Sequence, residues 1–199
     1  MGAELERRAL GFAFAIFAFV AGAGPALAAP PTLPDRTRTP GVTDDQVTEA
    51  NYRDVLCPGP DGKKAHTTDE KRPSTAYTNK LKKQQLADWP GYSNEKLSAY
   101  EEDHLISLEL GGSDSDPKNL WPEFWDKGKS PYKGTWGAHV KDRLEGELGR
   151  RICLQATDAD YVSLSDARQA IADDWVKAFK KYVCTRKPAL SPVMAAHCP

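Results

Sequence analysis

Residues 101–123 read EEDHLISLELGGSDSDPKNLWPE, and the rest of the chain is arranged around this stretch. An acidic pair leads directly into Asp103 and His104, and an alternating apolar segment, 105–110, follows. Such alternation is typical of a β-strand with one buried face. Two glycines and a group of Asp, Ser and Pro residues then predict a tight turn before Asn119. The stretch therefore predicts a carboxylate–imidazole pair, a strand, a tight loop and a returning amide.

Asp103 and His104 at the mouth of a strand suit the hydrolysis of a phosphodiester bond. A carboxylate binds a hard divalent cation, and an imidazole takes a proton from water near neutral pH. A metal-held phosphate and an activated water together suffice for this reaction. The tight loop would bring Asn119 back toward the histidine, where its amide would fix the loop and orient the imidazole through hydrogen bonds.

The order of Asp103-His104, an apolar strand, a Gly-Gly turn and Asn119-Leu120 resembles the first two-thirds of the HNH (His-Me finger) endonuclease motif. The resemblance implies a ββα unit that holds one metal ion. It implies that Asp103 is a metal ligand, that His104 is the general base and that Asn119 is the supporting member of the catalytic set. A wider pattern, which includes KDRLE at 141–145, resembles a group of small secreted bacterial HNH-like proteins.

The third residue of the motif, a metal ligand on a helix, does not follow Asn119 directly. His139, at the start of the next predicted helix, is the candidate, and a tryptophan-rich loop separates it from the strand. Asp126, Asp142 and Glu123 are the alternative oxygen ligands. The resemblance implies a divalent metal ion, and Mg²⁺ is the expected one.

The first function that follows from this pattern is that of a metal-dependent nuclease. It would hydrolyse phosphodiester bonds of nucleic acid, with His104 as general base. Its substrate path would follow one of two lysine groups. These groups are Lys80, Lys82 and Lys83, or Lys127, Lys129 and Lys133.

The second function is that of a non-catalytic secreted or envelope binding module that keeps the HNH-like scaffold. Asp103 and His104 would then be a structural hydrogen-bonded pair. Several tryptophans would stack on sugars or bases. The candidates are Trp89, Trp121, Trp125 and Trp136.

Residues 1–28 have the features of a signal peptide. Arg7 and Arg8 form a basic start, an apolar run covers 9–24, and Ala-Leu-Ala at 26–28 is a cleavage signal. The apolar run is shorter than the roughly 20 residues that a membrane-spanning helix needs. Cleavage would release a secreted or periplasmic protein that is not stably inserted in a membrane. An uncleaved N-terminal anchor is the alternative.

Export makes the 4 cysteines candidates for disulfide bonds. Of the three possible pairings we favour Cys57 with Cys153 and Cys184 with Cys198. The first bond would tie an early segment to the end of a later helix, and the second would hold the C-terminal tail. The sequence contains no C-x-x-C, so it predicts neither a zinc ribbon nor a thioredoxin-like redox site.

The fold class predicted from these patterns is α+β. We expect a mainly helical small domain around a ββα hairpin–helix core, held together by disulfides. A flexible or extended lead over 29–42 would precede a single domain over 43–184 and a tail over 185–199. Helices are predicted over 74–87, from 138 and after 163.

The formal net charge of the chain is -1 at pH 7, so no global positive field attracts nucleic acid. Any binding to a polyanion must therefore use a local basic surface. The sequence gives no indication of an oligomeric state.

Overall fold

The computed structural model describes residues 30–64, 68–92 and 96–199, without the side chains of residues 187–189. These residues contain six α-helices and one two-stranded antiparallel sheet, which is an α+β arrangement. None of these helices is long and apolar enough to cross a membrane. The predicted signal peptide lies outside the described residues. In chain order the elements are α1 (Tyr52–Leu56), α2 (Thr68–Lys71), α3 (Thr75–Asp88), β1 (Tyr100–His104), β2 (Leu120–Phe124), α4 (Ala138–Ile152), α5 (Leu164–Tyr182) and α6 (Pro192–Ala195).

The three long helices begin where the sequence predicts them. The Ser74 hydroxyl accepts a hydrogen bond from the backbone N–H of Tyr77 at 3.3 Å, which caps α3. The Ser163 hydroxyl accepts one from the N–H of Asp166 at 3.0 Å, which caps α5. Such caps satisfy backbone donors that have no partner inside the helix, and each stabilises it by about 1 kcal/mol.

The predicted strand over 105–110 is wrong, because the strand is Tyr100–His104, immediately before it. The apolar segment instead ends in a 3₁₀ turn, which Gly111 closes with a φ of +66°. Ile106 and Leu110 lie in the main core. The alternating apolar residues thus anchor the loop after β1 in the interior, whereas β1 itself carries a charged sequence with no apolar alternation.

The main hydrophobic core lies between α4 and α5. The apolar stripe predicted at spacing four on α4 is completely buried there. It consists of Val140, Leu144, Leu148 and Ile152. Ile171, Trp175 and Phe179 of α5 pack in the same cluster. Burial of each such side chain stabilises the fold by about 1.5–3 kcal/mol.

A smaller cluster covers the other face of the hairpin. Leu86 of α3 packs there with Tyr100, Phe124 and Tyr132. The hairpin is therefore held between α3 on one face and α4 on the other. This arrangement fixes the direction in which each side chain of β1 points, since successive strand residues face opposite sides.

Both predicted disulfide pairings are confirmed. Cys57 is bonded to Cys153 across a sequence separation of 96, and Cys184 to Cys198 across a separation of 14. In the chain-entropy model a loop of about 100 residues closed by a disulfide stabilises the folded state by about 4–5 kcal/mol. The first bond thus links the end of α1 firmly to the end of α4.

The segment 30–42, predicted as a lead, runs along the domain in extended contact with it. The Trp175 indole N–H donates to the Thr32 carbonyl at 3.0 Å. The backbone N–H of Ser113 donates to the Val42 carbonyl at 2.8 Å. The lead therefore supports the loop between the two strands of the hairpin.

Candidate active site

Asn119 holds together the loop between β1 and β2. Its Oδ1 accepts hydrogen bonds from the backbone N–H groups of Ile106 at 3.0 Å and Val42 at 3.4 Å. Its Nδ2 donates to the carbonyls of Ile106 at 3.0 Å and Ser113 at 2.9 Å. Asn119 is 0% exposed, and these contacts all go to the backbone. It fixes the loop as predicted, but its amide reaches the main chain and not the imidazole, so we describe it as a positioning residue.

Gly112 makes this arrangement possible. A Cβ atom at Gly112 would lie 1.8 Å from the carbonyl oxygen of Ile106 and 2.9 Å from Nδ2 of Asn119. Because non-bonded heavy atoms pack at about 3.5–4.0 Å, no larger residue fits here. The second glycine of the predicted turn is therefore required by the close approach of the loop to itself.

His104 is the last residue of β1, and its imidazole is tied to the same loop. Its Nε2 lies 2.8 Å from the carbonyl oxygen of Asp114. A carbonyl only accepts, so in the neutral ring Nε2 carries the proton and Nδ1 keeps its lone pair. Burial lowers the pKa of His104 below its ordinary value, although Asp103 acts in the opposite direction. The ring is therefore a neutral base near pH 7, and 5% of the residue is exposed.

Two residues of the preceding helical region act on this imidazole, and sequence reasoning did not identify either. The Tyr77 hydroxyl donates to the Ser115 carbonyl at 2.6 Å, which holds the turn that contacts His104. Arg72 lies 3.8 Å from Glu101 and is close enough for its charge to disfavour protonation of His104. Arg72 thus adds a positive charge to the surroundings of the candidate base through its contact with Glu101.

Lys141 of α4 fixes both members of the Asp103–His104 pair. Its Nζ donates to Oδ2 of Asp103 and to the carbonyl of His104, each at 2.6 Å, and it also contacts Glu145. Lys141 is 0% exposed. A buried ammonium requires such partners, because an unpaired buried charge is strongly destabilising. The ion pair connects the hairpin to α4.

The sequence contains a signal for the burial of Lys141. Residues 141, 144 and 148 share one side of a helix, and two of these positions are leucines of the buried stripe. A lysine within an apolar stripe predicts a buried ion pair. Its partner was not recognisable, because Asp103 is 38 positions away in the sequence.

Glu123 lies on the same face of the hairpin as Asp103 and shares its surroundings. Both carboxyl oxygens of Glu123 are buried, and as long as the group is ionised they have no hydrogen-bond partner among the described residues. Burial and the Asp103 charge raise the pKa of Glu123 well above its ordinary value. Burial opposes ionisation of Asp103, but Lys141 lowers its pKa below its ordinary value. We infer that a neutral Glu123 donates its proton to an ionised Asp103.

The opposite face of β1 contains a second isolated carboxyl group. Burial raises the pKa of Glu102 to about 8, although Lys82 acts against this shift. Both carboxyl oxygens of Glu102 and the Oε1 of Gln85 are buried, and none of them has a hydrogen-bond partner in the part of the chain that the structure describes. The two side chains are within hydrogen-bonding reach. Lys82 and the Gln85 side chain both favour the ionised form of Glu102, but burial outweighs them.

Lys82 cannot serve on a substrate path, which corrects one of the two predicted lysine groups. It is 8% exposed, and its Nζ donates to the Tyr100 carbonyl at 2.8 Å. The residue supports the hairpin from α3. Lys80 and Lys83 of the same helix are exposed, so the helix presents two lysines to solvent and not three.

The structure places His139 beside Asp126. The Asp126 carboxylate accepts a hydrogen bond from the backbone N–H of His139 at 2.8 Å and lies 4.0 Å from its Nδ1. Asp126 thus caps the N-terminus of α4. His139 and Lys141 are two positions apart and point about 200° apart around the helix. Because Lys141 faces Asp103, His139 faces away from it.

The resemblance implies a metal ion, and the donor set fits one only through Asp103. Within 30–64, 68–92 and 96–199, no group of three or more His, Cys, Asp or Glu side chains is placed to hold a metal ion. Mg²⁺ is commonly held by one or two carboxylates together with waters and substrate phosphates. Asp103 is the candidate for that mode of binding, but it is 7% exposed, its Oδ2 accepts a hydrogen bond from Lys141 at 2.6 Å, and it faces the side of β1 opposite to His104. The assignment of His139 as the second ligand stays a prediction.

The tryptophans do not form one aromatic surface. Trp121 is 0% exposed. Trp136 packs edge-on against Trp175 and Phe179 in the core. Trp125, by contrast, is partly exposed and lines an open groove together with lysines.

Comparison with protein-family models, with curated proteins and with solved structures finds no match to this chain.

Proposed function

We propose that the chain is a secreted or periplasmic nuclease that hydrolyses phosphodiester bonds with His104 as general base. The observation that carries this proposal is the 2.8 Å contact between Nε2 of His104 and the Asp114 carbonyl, which keeps Nδ1 available as a base. The lowered pKa of His104, caused by burial, keeps the ring neutral at physiological pH. The two disulfides support export, since such bonds persist in oxidising compartments.

The proposed reaction needs one proton transfer at His104. Nδ1 takes a proton from a water molecule while the water oxygen forms a bond to phosphorus. The bond from phosphorus to the leaving sugar oxygen breaks, and that oxygen takes a proton from solvent. Arg72, which lies 3.8 Å from Glu101 and is exposed, would stabilise the developing phosphate charge.

The proposed cofactor is a divalent metal ion, Mg²⁺ by resemblance, with Asp103 as its protein ligand. When bound, the ion would supply positive charge to the phosphate. The protein's own contribution is to hold Asp103 ionised and in place through Lys141. It also prevents rotation of the imidazole through the loop that Asn119 fixes.

The test is a cleavage assay on the purified protein with both disulfides formed. Plasmid DNA, single-stranded DNA and RNA are incubated with Mg²⁺, with Mn²⁺ and with EDTA. We expect His104→Ala to lower the rate about 10²–10⁴-fold, since general-base catalysis contributes that much. His197→Ala, on the C-terminal tail, is the matched control and should retain activity.

Equal rates for the wild type and His104→Ala would refute the nuclease. His139→Ala is measured in the same assay. A loss of metal-dependent cleavage in this variant, with normal unfolding, would support His139 as a ligand. An unchanged metal dependence would remove it from the site.

A different observation favours a second function, that of a non-catalytic binding module. Asp103 and His104 are 7% and 5% exposed, a degree of burial that also suits a structural pair. In that case the hairpin would serve as scaffold for a binding surface elsewhere. Nucleic-acid binding without cleavage in every metal condition would support this function over the first.

A further inference from the structure

An open groove lies at the end of the hairpin remote from His104. It has a volume of about 620 Å³. Its lining residues are Lys96, Ser98, Ala99, Trp125, Lys127, Lys129, Ser130 and Pro131. Three lysines and one tryptophan converge here, and the lining contains no carboxylate. The net charge of the whole chain is close to zero, so this groove is a local basic surface of the kind that binding to a polyanion requires.

The groove is built on a rigid frame. The backbone N–H of Trp125 donates to the Ala99 carbonyl at 2.9 Å, which continues the hairpin beyond β1 and β2. The Ser130 hydroxyl contacts the Trp125 carbonyl from the opposite wall. The Lys127 ammonium lies 5.1 Å from the centroid of the Trp125 ring. The aromatic side chain and a cation are thus held together at the entrance of the groove.

We propose that this groove binds a single-stranded nucleic acid, with a base stacked at Trp125 and phosphates on Lys96, Lys127 and Lys129. Basic grooves with an exposed aromatic ring bind single strands because every base has a stacking face. A duplex hides those faces within its own stack. The unpaired strand is therefore the form of nucleic acid that this combination of side chains favours.

The position of the groove sets the length of strand that is needed to reach both regions. Ala99 immediately precedes β1, whose five residues up to His104 span about 17 Å at roughly 3.3 Å per residue. Stacked nucleotides rise about 3.4 Å each, so about five nucleotides span this distance. The inference deepens the proposed function, because it places the substrate strand relative to the candidate base.

Binding is measured separately from cleavage, so the two proposals can fail independently. Fluorescence anisotropy of a labelled oligothymidylate at low salt is recorded with His104→Ala as the parent protein, which lacks the proposed base. The test variant adds Lys96→Ala, Lys127→Ala and Lys129→Ala. The matched control adds Ala at three exposed lysines elsewhere, which removes the same charge. These are Lys63, Lys177 and Lys181.

We expect the groove variant to bind at least about tenfold more weakly and the control to stay within about twofold of the parent. The slope of log K against log salt concentration should become shallower by about two in the groove variant. Each phosphate that a removed lysine no longer neutralises accounts for about 0.7 of this change. Trp125→Ala alone should weaken binding about tenfold, and Trp125→Phe should retain most of it. The single strand should bind about tenfold more tightly than a duplex of the same length.

Equal losses in the groove variant and the control would show general electrostatic attraction and would overturn the proposal. The proposal would also be overturned if the parent protein did not bind the oligothymidylate, or if the groove variant bound it as tightly as the parent does. Circular dichroism and thermal unfolding of each variant exclude misfolding, which is not expected for exposed lysines.

Discussion

Two polar regions meet at the hairpin, and they differ in how their hydrogen bonds are satisfied. In the loop around Asn119, the oxygen and the nitrogen of the buried side-chain amide both form hydrogen bonds with backbone groups. The carboxyl groups of Glu102 and Glu123 are buried without partners unless they are protonated. The first region therefore has one stable state over a wide pH range, whereas the second depends on where its protons lie. This difference indicates that the loop is a structural frame and the carboxyl cluster is the adjustable part of the site.

The largest effect is expected from removing the buried cation. Lys141→Met keeps the length of the side chain but leaves Asp103 and Glu145 without their ammonium partner. Loss of one member of a buried ion pair costs about 3–5 kcal/mol. The free energy of unfolding, measured with urea at pH 7, should fall by that amount.

Lys181→Met on the exposed side of α5 is the control for the lysine substitution and should change the free energy of unfolding by less than about 0.5 kcal/mol. A similarly small change for Lys141→Met would mean that the carboxyl cluster does not need its cation. The carboxyl cluster would then be as independent of its charges as the Asn119 loop.

The frame is tested by Asn119→Ala. The substitution removes the partner of the buried N–H and carbonyl of Ile106 and of the partly buried N–H of Val42 and carbonyl of Ser113. Each such group costs about 1–3 kcal/mol, and partial relaxation of the loop should limit the total to about 3 kcal/mol. Thermal unfolding measures the loss, and Asn79→Ala on the exposed face of α3 is the control. The loss should be independent of pH, in contrast to variants of the carboxyl cluster.

The local parts of this fold could be predicted from the sequence, because their signals lie within a few residues. The caps Ser74 and Ser163 and the apolar stripe of α4 are of this kind. The disulfide pairing could be predicted from the expected export and from the positions of the cysteines along the chain. The role of Asn119 as the residue that fixes the loop also followed, because the turn residues before it predicted a chain return.

The strand and the ion pair were not predictable, since both depend on contacts between distant segments. β1 is rich in charged residues, and it is buried only because α4 supplies Lys141 to one face and α3 supplies Lys82 to the other. No local pattern encodes these pairings. The apolar segment after β1 imitates a strand, but its side chains enter the core from a turn. Lysines that support a strand from neighbouring helices are therefore easily mistaken for surface charges.

The stability of the carboxyl cluster should depend on pH, whereas that of the loop around Asn119 should not. The pKa of Glu102, raised by burial from 4.5 to about 8, means that the folded state holds a proton that the unfolded state releases. The contribution of Glu102 to the free energy of unfolding is fully present below pH 4.5 and is lost progressively as pH rises toward 8. Above pH 8 it no longer changes with pH. Glu102→Gln should remove the roughly 3 kcal/mol of stability that the wild type loses through this group between pH 5 and pH 8.

Urea unfolding of the wild type and Glu102→Gln at both pH values measures this difference. Subtraction of the two proteins cancels other groups, including His104, whose lowered pKa acts in the opposite direction. Parallel pH curves for the two proteins would show that Glu102 is ionised in the fold.

The smallest expected effect comes from Glu123→Gln, and it tests the proton that we place between Glu123 and Asp103. A glutamine amide donates to Asp103 as a protonated carboxyl group does, and it occupies nearly the same volume. We therefore expect the free energy of unfolding at pH 7 to change by less than about 1 kcal/mol, whereas Glu123→Ala leaves a cavity and should cost about 2 kcal/mol or more. If Glu123 were ionised in the folded state at pH 7, Glu123→Gln would instead relieve repulsion from Asp103 and stabilise the protein markedly. A large gain in stability would therefore place a second negative charge beside Asp103 and remove the shared proton from this site.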